Sequence, residues 1–508
     1  MLLAELVATS LRVAATRARK AKVAELADLL ARVDPVEVPI AVGYLSGEPR
    51  QGRVGVGWAS VSNTDVPAAT HPHLTLTDVD DFFTAVPSMT GPGSQQARRV
   101  ALARLMARAT TAEQRFLAAL ITGEVRQGAL EGLVLEAVAQ AATVDVALVR
   151  RAAMLGGSLG EIARIARKSG EAGLADVGLE VLRAVRPMLA ATAASPEEAV
   201  TDLGDVVVDW KLDGARIQVH RKGEVVAVFT RNLNDVTDRL SEVVDVVRSL
   251  NTEAVVLDGE SLALDDEGAP RVFGDTMSRF GSDSTVGGTN LSAFFFDILH
   301  LDGRDLIDLP LAARLEALEA TVGPDLRVPS RRTTDPAVAA AELDRAVAAG
   351  HEGIMVKDAA APYEAGRRGS AWRKVKPVHT LDLVVLAAEW GHGRRTGWLS
   401  NLHLGCRDSE SGEFVMLGKT FKGLTDAMLA WQTERLLELE TRHIRGTVFV
   451  RPELVVEVAL DGLVASPRYP AGMALRFARV KRYRPDKSSS EVDTLDTVRA
   501  IYLRRGFQ

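Results

Sequence analysis

The sequence predicts a multidomain chain of three parts: an all-α N-terminal domain, an α+β domain built on antiparallel sheets, and a small C-terminal β-barrel. Three observations lead to this prediction. The chain has 508 residues, and one domain per about 150 residues is a reasonable starting estimate. The hydrophobic pattern changes from helical spacing to short β-rich runs after Pro187. Glycine-rich turns then separate the apolar runs that follow Leu381.

The N-terminal domain, predicted over residues 1–186, carries apolar residues at helical spacing through most of its length. A first amphipathic helix is predicted from Leu2 to Asp34. Between Pro39 and Ser62 glycines interrupt short apolar runs, which predicts an irregular or weakly β loop.

Helices are predicted again from about Gln95 onward. Thr111 and Gln114 predict a capping box, and Gly123 predicts the end of the helix that follows it. Further predicted helices cover about 129–142, 145–154 and 158–168. The basic faces of this domain suit either a structural scaffold or a surface that grips phosphates, and the pattern alone leaves both interpretations open.

The middle domain, predicted over 187–380, is expected to consist of strands separated by turns, with helices near 236–250 and 311–320. Its predicted strands cover 206–212, 216–221, 225–230, 254–258, 262–264, 293–298 and 353–357. The last domain, predicted over 381–508, has apolar runs at 381–388, 401–406, 413–417 and 454–460.

Composition excludes several classes of protein. A formal net charge of −6 argues against a protein that coats nucleic acid by bulk charge, although a local basic track is still allowed. The single cysteine, Cys406, rules out an internal disulfide and a four-cysteine zinc site, and it is expected to be a small buried apolar residue. Neither a signal peptide nor a membrane span is visible. A cytoplasmic, nucleoid-associated location is therefore expected, without a membrane partner.

The stretch with the clearest chemical meaning is Lys211-Leu-Asp213-Gly-Ala-Arg216, which follows an apolar run at 206–210. A lysine at the end of a strand, beside a glycine turn and an arginine, is a candidate covalent nucleophile. An amine attacks only when it is neutral, and partial burial next to a guanidinium favours that state. Most lysines at strand ends are solvated surface residues, so this hexapeptide needs support from other parts of the chain.

That support comes from acids, aromatic residues and lysines elsewhere in the middle domain. Lys374 and Lys376 alternate with Val375, so the two lysines point to the same side of a strand. Two ammonium groups aimed at one pocket suit a polyanionic phosphate ligand. Glu260 and Glu352 could hold Mg²⁺ or bind ribose hydroxyls, and Phe296 could stack on a base.

Together these residues resemble the motifs of the ATP-dependent DNA ligases, within the covalent nucleotidyltransferase superfamily. The hexapeptide at Lys211 is similar to the family's K-x-D-G-x-R signature. The other similar blocks occur in family order: Thr230–Thr237, Leu257–Glu260, Phe296–Leu299, Glu352–Lys357, Lys374–Lys376 and Arg476–Lys487. Weaker similarity in the N-terminal part, at Gly55–Gly57, Gly123–Gly128 and Pro187–Ala190, extends the resemblance to nearly the whole chain.

The resemblance implies a helical DNA-binding domain, an adenylyltransferase (nucleotidyltransferase) domain and a C-terminal OB-fold. It also implies three chemical steps. Lys211 takes AMP from ATP as a phosphoramidate, AMP passes to the 5′-phosphate of a nick, and the nick's 3′-hydroxyl then displaces AMP. The implied partner is nicked double-stranded DNA, which the protein would encircle as a monomer. The implied cofactors are ATP and Mg²⁺, for which Mn²⁺ could substitute.

The resemblance also implies roles for individual residues. Asp209 would accept a hydrogen bond from the adenine amine, and Phe296 would stack on the base. Lys374 and Lys376 would neutralise the α-phosphate. Further ATP contacts would come from Arg216, Arg231, Glu260, Arg367, Arg373 and Arg476, metal ligands from Glu260 and Glu352, and a mobile-domain motif from Arg476, Asp486 and Lys487.

Three alternatives are open at this stage. An RNA ligase or a capping-type nucleotidyltransferase would use the same lysine chemistry, although Asp297 after Phe296 and the long helical N-terminus argue against capping. An NAD-dependent ligase would need a four-cysteine zinc finger, which one cysteine forbids. A catalytically dead nucleic-acid clamp would not need every motif residue intact.

Overall fold

The computed structural model describes residues 1–508 apart from 53–54, 126–130, 266–267, 269, 272–275, 277–290, 365–367, 378 and 504–508. Residues up to 175 are almost entirely helical. Their helices are α1 Leu3–Ala15, α2 Arg19–Arg32, α3 Val38–Ser46, α4 Trp58–Ser62, α5 Leu76–Ser88, α6 Ser94–Arg108, α7 Thr111–Thr122, α8 Glu131–Ala142, α9 Val146–Leu155 and α10 Leu159–Ala175.

Two predictions for this helical part were wrong. The single helix expected from Leu2 to Asp34 is two helices, because extended backbone at Thr16 and Ala18 lets α1 and α2 bury their apolar faces in one core. The loop expected between Pro39 and Ser62 begins with α3, which is buried on most sides and therefore shows no amphipathic alternation. Pro39 lies in the first turn of α3, where its missing N–H does no harm.

The capping box at α7 lies one residue earlier than predicted. The side chain of Thr110 accepts a hydrogen bond from the backbone N–H of Glu113, and the carboxylate of Glu113 accepts one from the backbone N–H of Thr110 at 2.8 Å. The end of α7 falls at Gly123 as expected, since this glycine adopts the left-handed conformation with φ +70°.

In its described residues, the middle of the chain has two five-stranded sheets and the four α-helices named below. Its elements are β1 Leu189–Thr192, α11 Pro196–Leu203, β2 Val206–Lys211, β3 Ala215–Lys222, β4 Val225–Thr230, α12 Ser241–Arg248, β5 Ala254–Ala263, β6 Leu291–Leu301, β7 Arg304–Asp305, α13 Leu311–Thr321, β8 Ser330–Thr333, α14 Pro336–Ala348, β9 Gly353–Asp358 and β10 Arg368–Val375. One sheet has the strand order β1-β10-β9-β2-β8, and the other β4-β3-β5-β6-β7. The prediction of antiparallel sheets is confirmed except for β1, which pairs with β10 in parallel.

The remainder of the chain is again rich in strands. Its elements are β11 His379–Trp390, β12 Leu399–Arg407, β13 Phe414–Thr420, α15 Asp426–Glu438, β14 Glu440–Ile444, β15 Thr447–Val450, β16 Val455–Leu460, β17 Gly462–Ala465, β18 Met473–Arg476, β19 Arg479–Tyr483 and α16 Leu495–Leu503. The main sheet runs β13-β12-β11-β15-β14, and β16 pairs with both β11 and β19. Within the described residues, the strand pairing does not close into a barrel.

The helical part packs directly against the middle sheets. Met154 and Leu155 of α9 share a buried cluster with Val185, Met188 and Trp372. Arg151 of α9 and Asp308 form an ion pair of 2.5 Å across the same boundary. Across the described ranges, no helix combines the length and the apolar composition needed to cross a membrane.

Candidate active site

Lys211 is the last residue of β2, which lies between β9 and β8 in the first sheet, and its backbone pairs with Gly353 at the start of β9. The backbone N–H of Glu352 donates a hydrogen bond to the carbonyl oxygen of Lys211 at 3.0 Å. Gly353 has φ +144°, and a Cβ there would lie 2.3 Å from the carbonyl oxygen of Val375. This glycine therefore lets the start of β9 and the end of β10 meet beside Lys211.

The carboxylate of Glu352 lies close to positively charged side chains from three separate stretches of the chain. Its Oε2 atom lies 2.6 Å from Nζ of Lys211 and 2.6 Å from Nζ of Lys376, and its Oε1 atom lies 3.5 Å from Arg476. The side chain is only 6% exposed. Burial alone would raise the pKa of Glu352, but Lys211 and Lys376 outweigh it and lower the pKa to about 2. Glu352 is therefore ionised throughout the physiological range.

Two further carboxyl groups lie beside Glu352, and both have raised pKa values. Burial and the charge of Glu352 raise the pKa of Asp213, which lies 3.9 Å from Arg476. Burial raises the pKa of Glu260 to about 7, although Lys211 and Arg216 act in the opposite direction. Among the described residues, no three potential ligands are grouped tightly enough to hold a metal alone. Mg²⁺ is nevertheless usually bound by one or two carboxylates together with phosphate oxygens. The pair Glu260 and Glu352 fits this donor set.

A cavity of about 260 Å³ is lined by Asp209 and Phe296, among other residues. The carboxylate of Asp209 lies 2.5 Å from Nζ of Lys357, and both side chains are almost completely buried. Burial raises the pKa of Asp209, and Lys357 opposes that shift. The other oxygen of Asp209, Oδ1, has no hydrogen-bond partner in the described part of the chain. Asp209 thus offers acceptor capacity at the cavity wall.

Lys357, for which the sequence indicates no role of its own, lies between the aromatic residues and Asp209. Its Nζ lies 4.3 Å from the ring centre of Phe296 and 4.4 Å from that of Trp372. An ammonium group so enclosed by two aromatic faces and a carboxylate is held in one position. The available signal was a lysine at the end of the apolar run 354–356, where a solvated charge is out of place.

Arg216 is held within the protein instead of pointing freely at a ligand. Its guanidinium donates two hydrogen bonds to Asp258, at 3.0 and 2.7 Å, and one to the carbonyl oxygen of Met188 at 2.6 Å. It also lies 5.4 Å from the ring centre of Phe296. Burial would lower the pKa of Arg216, but Asp258 holds it above its ordinary value. Contact with ribose or phosphate remains a prediction for this residue.

The other predicted ATP contacts lie on different surfaces. Lys374 alternates with Arg373 along β10 and so shares a face with Trp372, whose ring packs against Phe296 at 6.0 Å between ring centres. Arg373 lies on the opposite face, 3.4 Å from Asp202. Arg231 is exposed just after β4, and Arg367 lies outside the described residues.

The predicted mobile motif is divided between two places. Arg476, at the end of β18, reaches Asp213 and Glu352. Lys487 instead lies 2.6 Å from Asp382 at the start of β11, and Asp486 lies 2.6 Å from Arg484, which also contacts Asp382. The structure therefore brings Arg476 to the Lys211 site, and it places Asp486 and Lys487 where the last sheet begins.

Comparison with known proteins finds matches to three family models along the chain. Residues 58–139 match the family described as DNA ligase N terminus. Residues 187–376 match the ATP dependent DNA ligase domain, and residues 395–487 match the ATP dependent DNA ligase C terminal region.

Individual relatives cover nearly the full chain. A probable DNA ligase of Saccharopolyspora erythraea is 55% identical over 501 residues, which are 99% of this chain and 98% of the relative. A probable DNA ligase of Pseudarthrobacter chlorophenolicus is 54% identical, with 99% of each chain covered. The solved structure named Pmar-Lig_PreS3 has the same fold at 17% identity and a TM-score of 0.61, covering 94% of this chain and 99% of its own.

Fold, site and relatives thus define a ligase. The chain belongs to the ATP-dependent DNA ligases.

Proposed function

We propose that this enzyme seals nicks between a 5′-phosphate and a 3′-hydroxyl in duplex DNA, through AMP carried on Lys211. The observation that carries the proposal is the convergence of Lys211, Lys376 and Arg476 on the carboxylate of Glu352. These cations come from three distant stretches of the chain and surround one buried acid. Such a concentration of positive charge suits a triphosphate and later a DNA phosphate.

In the first step, the amine of Lys211 attacks the α-phosphate of ATP, a P–N bond forms, and pyrophosphate leaves. Lys211 must lose a proton before it attacks. Lys376 shares the same Glu352 oxygen, so it can keep that carboxylate paired when Lys211 becomes neutral. Lys374, on the same side of β10, would help to neutralise the charge that grows on the phosphate in the transition state.

Asp209 and Lys357 are suited to recognise the edge of adenine. Adenine presents an amine donor next to a ring-nitrogen acceptor. The cavity wall presents the carboxylate of Asp209 as an acceptor, and the ammonium donor of Lys357 lies 2.5 Å from that carboxylate. Phe296 lines the same cavity and can stack on the base. A guanine carries an oxygen where adenine carries the amine, so it would face Asp209 with an acceptor. This pair therefore favours ATP over GTP.

Glu352 and Glu260 would hold Mg²⁺, or Mn²⁺ in its place, together with phosphate oxygens. When bound, the ion would withdraw charge from the phosphate oxygens. Independently of the metal, Arg216 and its Asp258 partner fix the wall of the pocket beside Phe296.

We further propose the division of labour that the family resemblance implies. Residues 1–186 would bind duplex DNA through phosphate contacts, residues 187–380 would transfer AMP, and residues 381–508 would form an OB-fold that closes a ring around the nick. The contact of Arg476 with Asp213 and Glu352 supports this ring, because it joins the last two domains at the active site.

The test is transfer of label from ATP carrying ³²P in its α-phosphate, in the presence of Mg²⁺. We expect acid-labile label on the wild-type protein and none on Lys211→Ala. Label that persists on the variant would overturn the assignment of Lys211. Nick sealing should then need ATP and not NAD. It should also prefer a nicked DNA duplex to a nicked RNA duplex, and efficient sealing of the RNA duplex would instead favour an RNA ligase.

A further inference from the structure

Side chains on one face of β3 form hydrogen bonds to segment 182–188, which connects the helical part to the middle sheets. Arg216, Gln218 and His220 are spaced by two along β3, so their side chains lie on the same face. Each of them binds backbone of this segment, at Met188, Val185 and Leu182 respectively. We call Gln218, His220 and segment 182–188 together the linker latch.

Each polar side-chain atom of Gln218 and His220 has a hydrogen-bond partner in the linker latch. The side-chain oxygen of Gln218 accepts from the backbone N–H of Val185 at 2.7 Å, and its side-chain nitrogen donates to the carbonyl oxygen of Val185 at 3.1 Å. Nδ1 of His220 accepts from the backbone N–H of Leu182 at 3.0 Å. Nε2 must then carry the proton, and it lies 2.8 Å from the Gln218 oxygen.

Burial and strain show that this geometry is held firmly. Gln218, His220 and Val185 are at most 5% exposed. Burial lowers the pKa of His220 to about 3, which keeps the ring neutral and its acceptor nitrogen available. Leu182 has φ +77°, a backbone conformation that non-glycine residues keep only where surrounding contacts impose it.

The same face leads directly to the nucleotide pocket. Met188 accepts a hydrogen bond from Arg216 through its carbonyl oxygen, and its N–H donates one to the hydroxyl of Tyr363 at 3.0 Å. Tyr363 and Arg216 both bind Asp258, and Arg216 lies beside Phe296 at the base cavity. The position of segment 182–188 and the shape of the pocket are therefore set by one buried network.

We propose that Gln218 and His220 are positioning residues that couple the linker segment to nucleotide binding. This inference rests on the proposed function, since it concerns the ATP that Lys211 uses. Closing the latch orders Arg216 and the pocket wall, so it strengthens nucleotide binding. Because coupling between two equilibria is reciprocal, an occupied pocket must also hold the latch more tightly closed.

The reciprocal effect can be measured on the wild-type chain. Trypsin cleaves after arginine except before proline, so Arg183, which precedes Ala184 inside the latched segment, is a possible site and Arg186, which precedes Pro187, is not. We expect adenylylation with ATP and Mg²⁺ to slow cleavage after Arg183 several-fold. Cleavage at Arg445, in the exposed turn between β14 and β15, should keep its rate and serves as the internal control. An unchanged rate at Arg183 in protein that carries the label would overturn the coupling.

A variant provides a second test of the coupling. Gln218→Leu should raise the KM for ATP in self-adenylylation by roughly tenfold, the value of one to two lost hydrogen bonds, with a smaller effect on kcat. It should also reduce the protection that ATP gives at Arg183. The matched control is Thr252→Val, which removes a 2.7 Å hydrogen bond to Asp302 beyond the other end of the same sheet.

The outcomes separate the two claims. If both variants lose similar thermal stability and raise the KM for ATP equally, the latch is only structural and the inference fails. If the wild-type protein takes no label from ATP, the proposed function fails instead. Because the wild-type protease experiment needs no variant, the coupling stays testable even when Gln218→Leu does not fold.

Discussion

The carboxylate of Asp209, which lines the base cavity, lies 2.5 Å from the ammonium group of Lys357, and both side chains have almost no exposure to solvent. Burying two charges carries a desolvation cost that their attraction must offset. Removing one partner of such a pair leaves an uncompensated buried charge, which typically costs about 3–5 kcal/mol. A pair kept at this cost is better explained by recognition of a ligand than by stability.

This pair gives the first prediction. Lys357→Met should lower the Tm strongly and abolish self-adenylylation, because Asp209 is left charged and unpaired. The double variant Asp209→Asn with Lys357→Met should recover much of the Tm, but it should not recover the preference for ATP over GTP. Thermal melts and labelling with both nucleotides provide the measurements. A double variant as unstable as Lys357→Met alone would contradict this account.

The second prediction concerns the acid between the two lysines. Glu352→Gln should reduce metal-dependent self-adenylylation and sealing by at least about a hundredfold, the scale of one lost electrostatic contact to a transition state. Binding to nicked DNA should change little, as measured by a filter or mobility assay. Glu316→Gln, an exposed change on α13, is the control and should behave as wild type. Equal losses of turnover and DNA binding would instead indicate a structural role for Glu352.

The third prediction follows from the raised pKa of Glu260. An unfolded glutamate ionises near its ordinary pKa of 4.5, but the folded protein resists ionisation until about pH 7. Stability should therefore fall as pH rises from about 4.5 to 7, by at most roughly 3 kcal/mol and by less where solvent reaches the group. Glu260→Gln removes this loss. The Tm advantage of the variant should grow between pH 5 and pH 7.5, and an advantage independent of pH would refute the assignment.

The fourth prediction concerns the contact between the last two parts of the chain. Arg476→Ala removes the cation that faces Asp213 and Glu352, so nick sealing should fall by at least about tenfold while the Tm stays nearly constant. Arg482→Ala is the matched control, since Arg482 lies on β19, the next strand along the chain, and its exposed side chain pairs with Glu457 at 2.8 Å. Comparable sealing by the two variants would show that Arg476 has no special place at the site.

Much of the fold could be predicted because apolar runs and turn residues are local signals. The strand predicted at 225–230 and the run at 353–357 lie within β4 and β9, and the predicted helix at 311–320 corresponds to α13. The break between α1 and α2 was missed, since both helices are amphipathic and only their packing into one core separates them. The parallel pairing of β1 with β10 joins residues far apart in sequence, and no local pattern encodes it.

The residues of the candidate site could be predicted where a sequence motif contains a reactive side chain. They were harder to predict where a residue's role depends on contacts made in the folded chain. Lys211, Lys376 and Glu352 were expected together, and the Nζ atoms of both lysines lie 2.6 Å from Oε2 of Glu352. Lys357 was quoted as part of a motif but given no role, because its burial between Phe296 and Trp372 is a property of the folded chain. Residue order likewise could not reveal that Asp486 and Lys487 lie at Asp382 while Arg476 reaches the site.

The buried position of Cys406 has a practical consequence. It is the single cysteine of the chain, it is 0% exposed on β12, and burial raises its pKa to about 12. A thiol that is both shielded and protonated does not react with maleimide reagents at neutral pH. Cysteines introduced at chosen surface positions would therefore accept fluorescent dyes selectively in the otherwise natural sequence. The proposed closing of residues 381–508 around DNA could then be tested by energy transfer in single molecules.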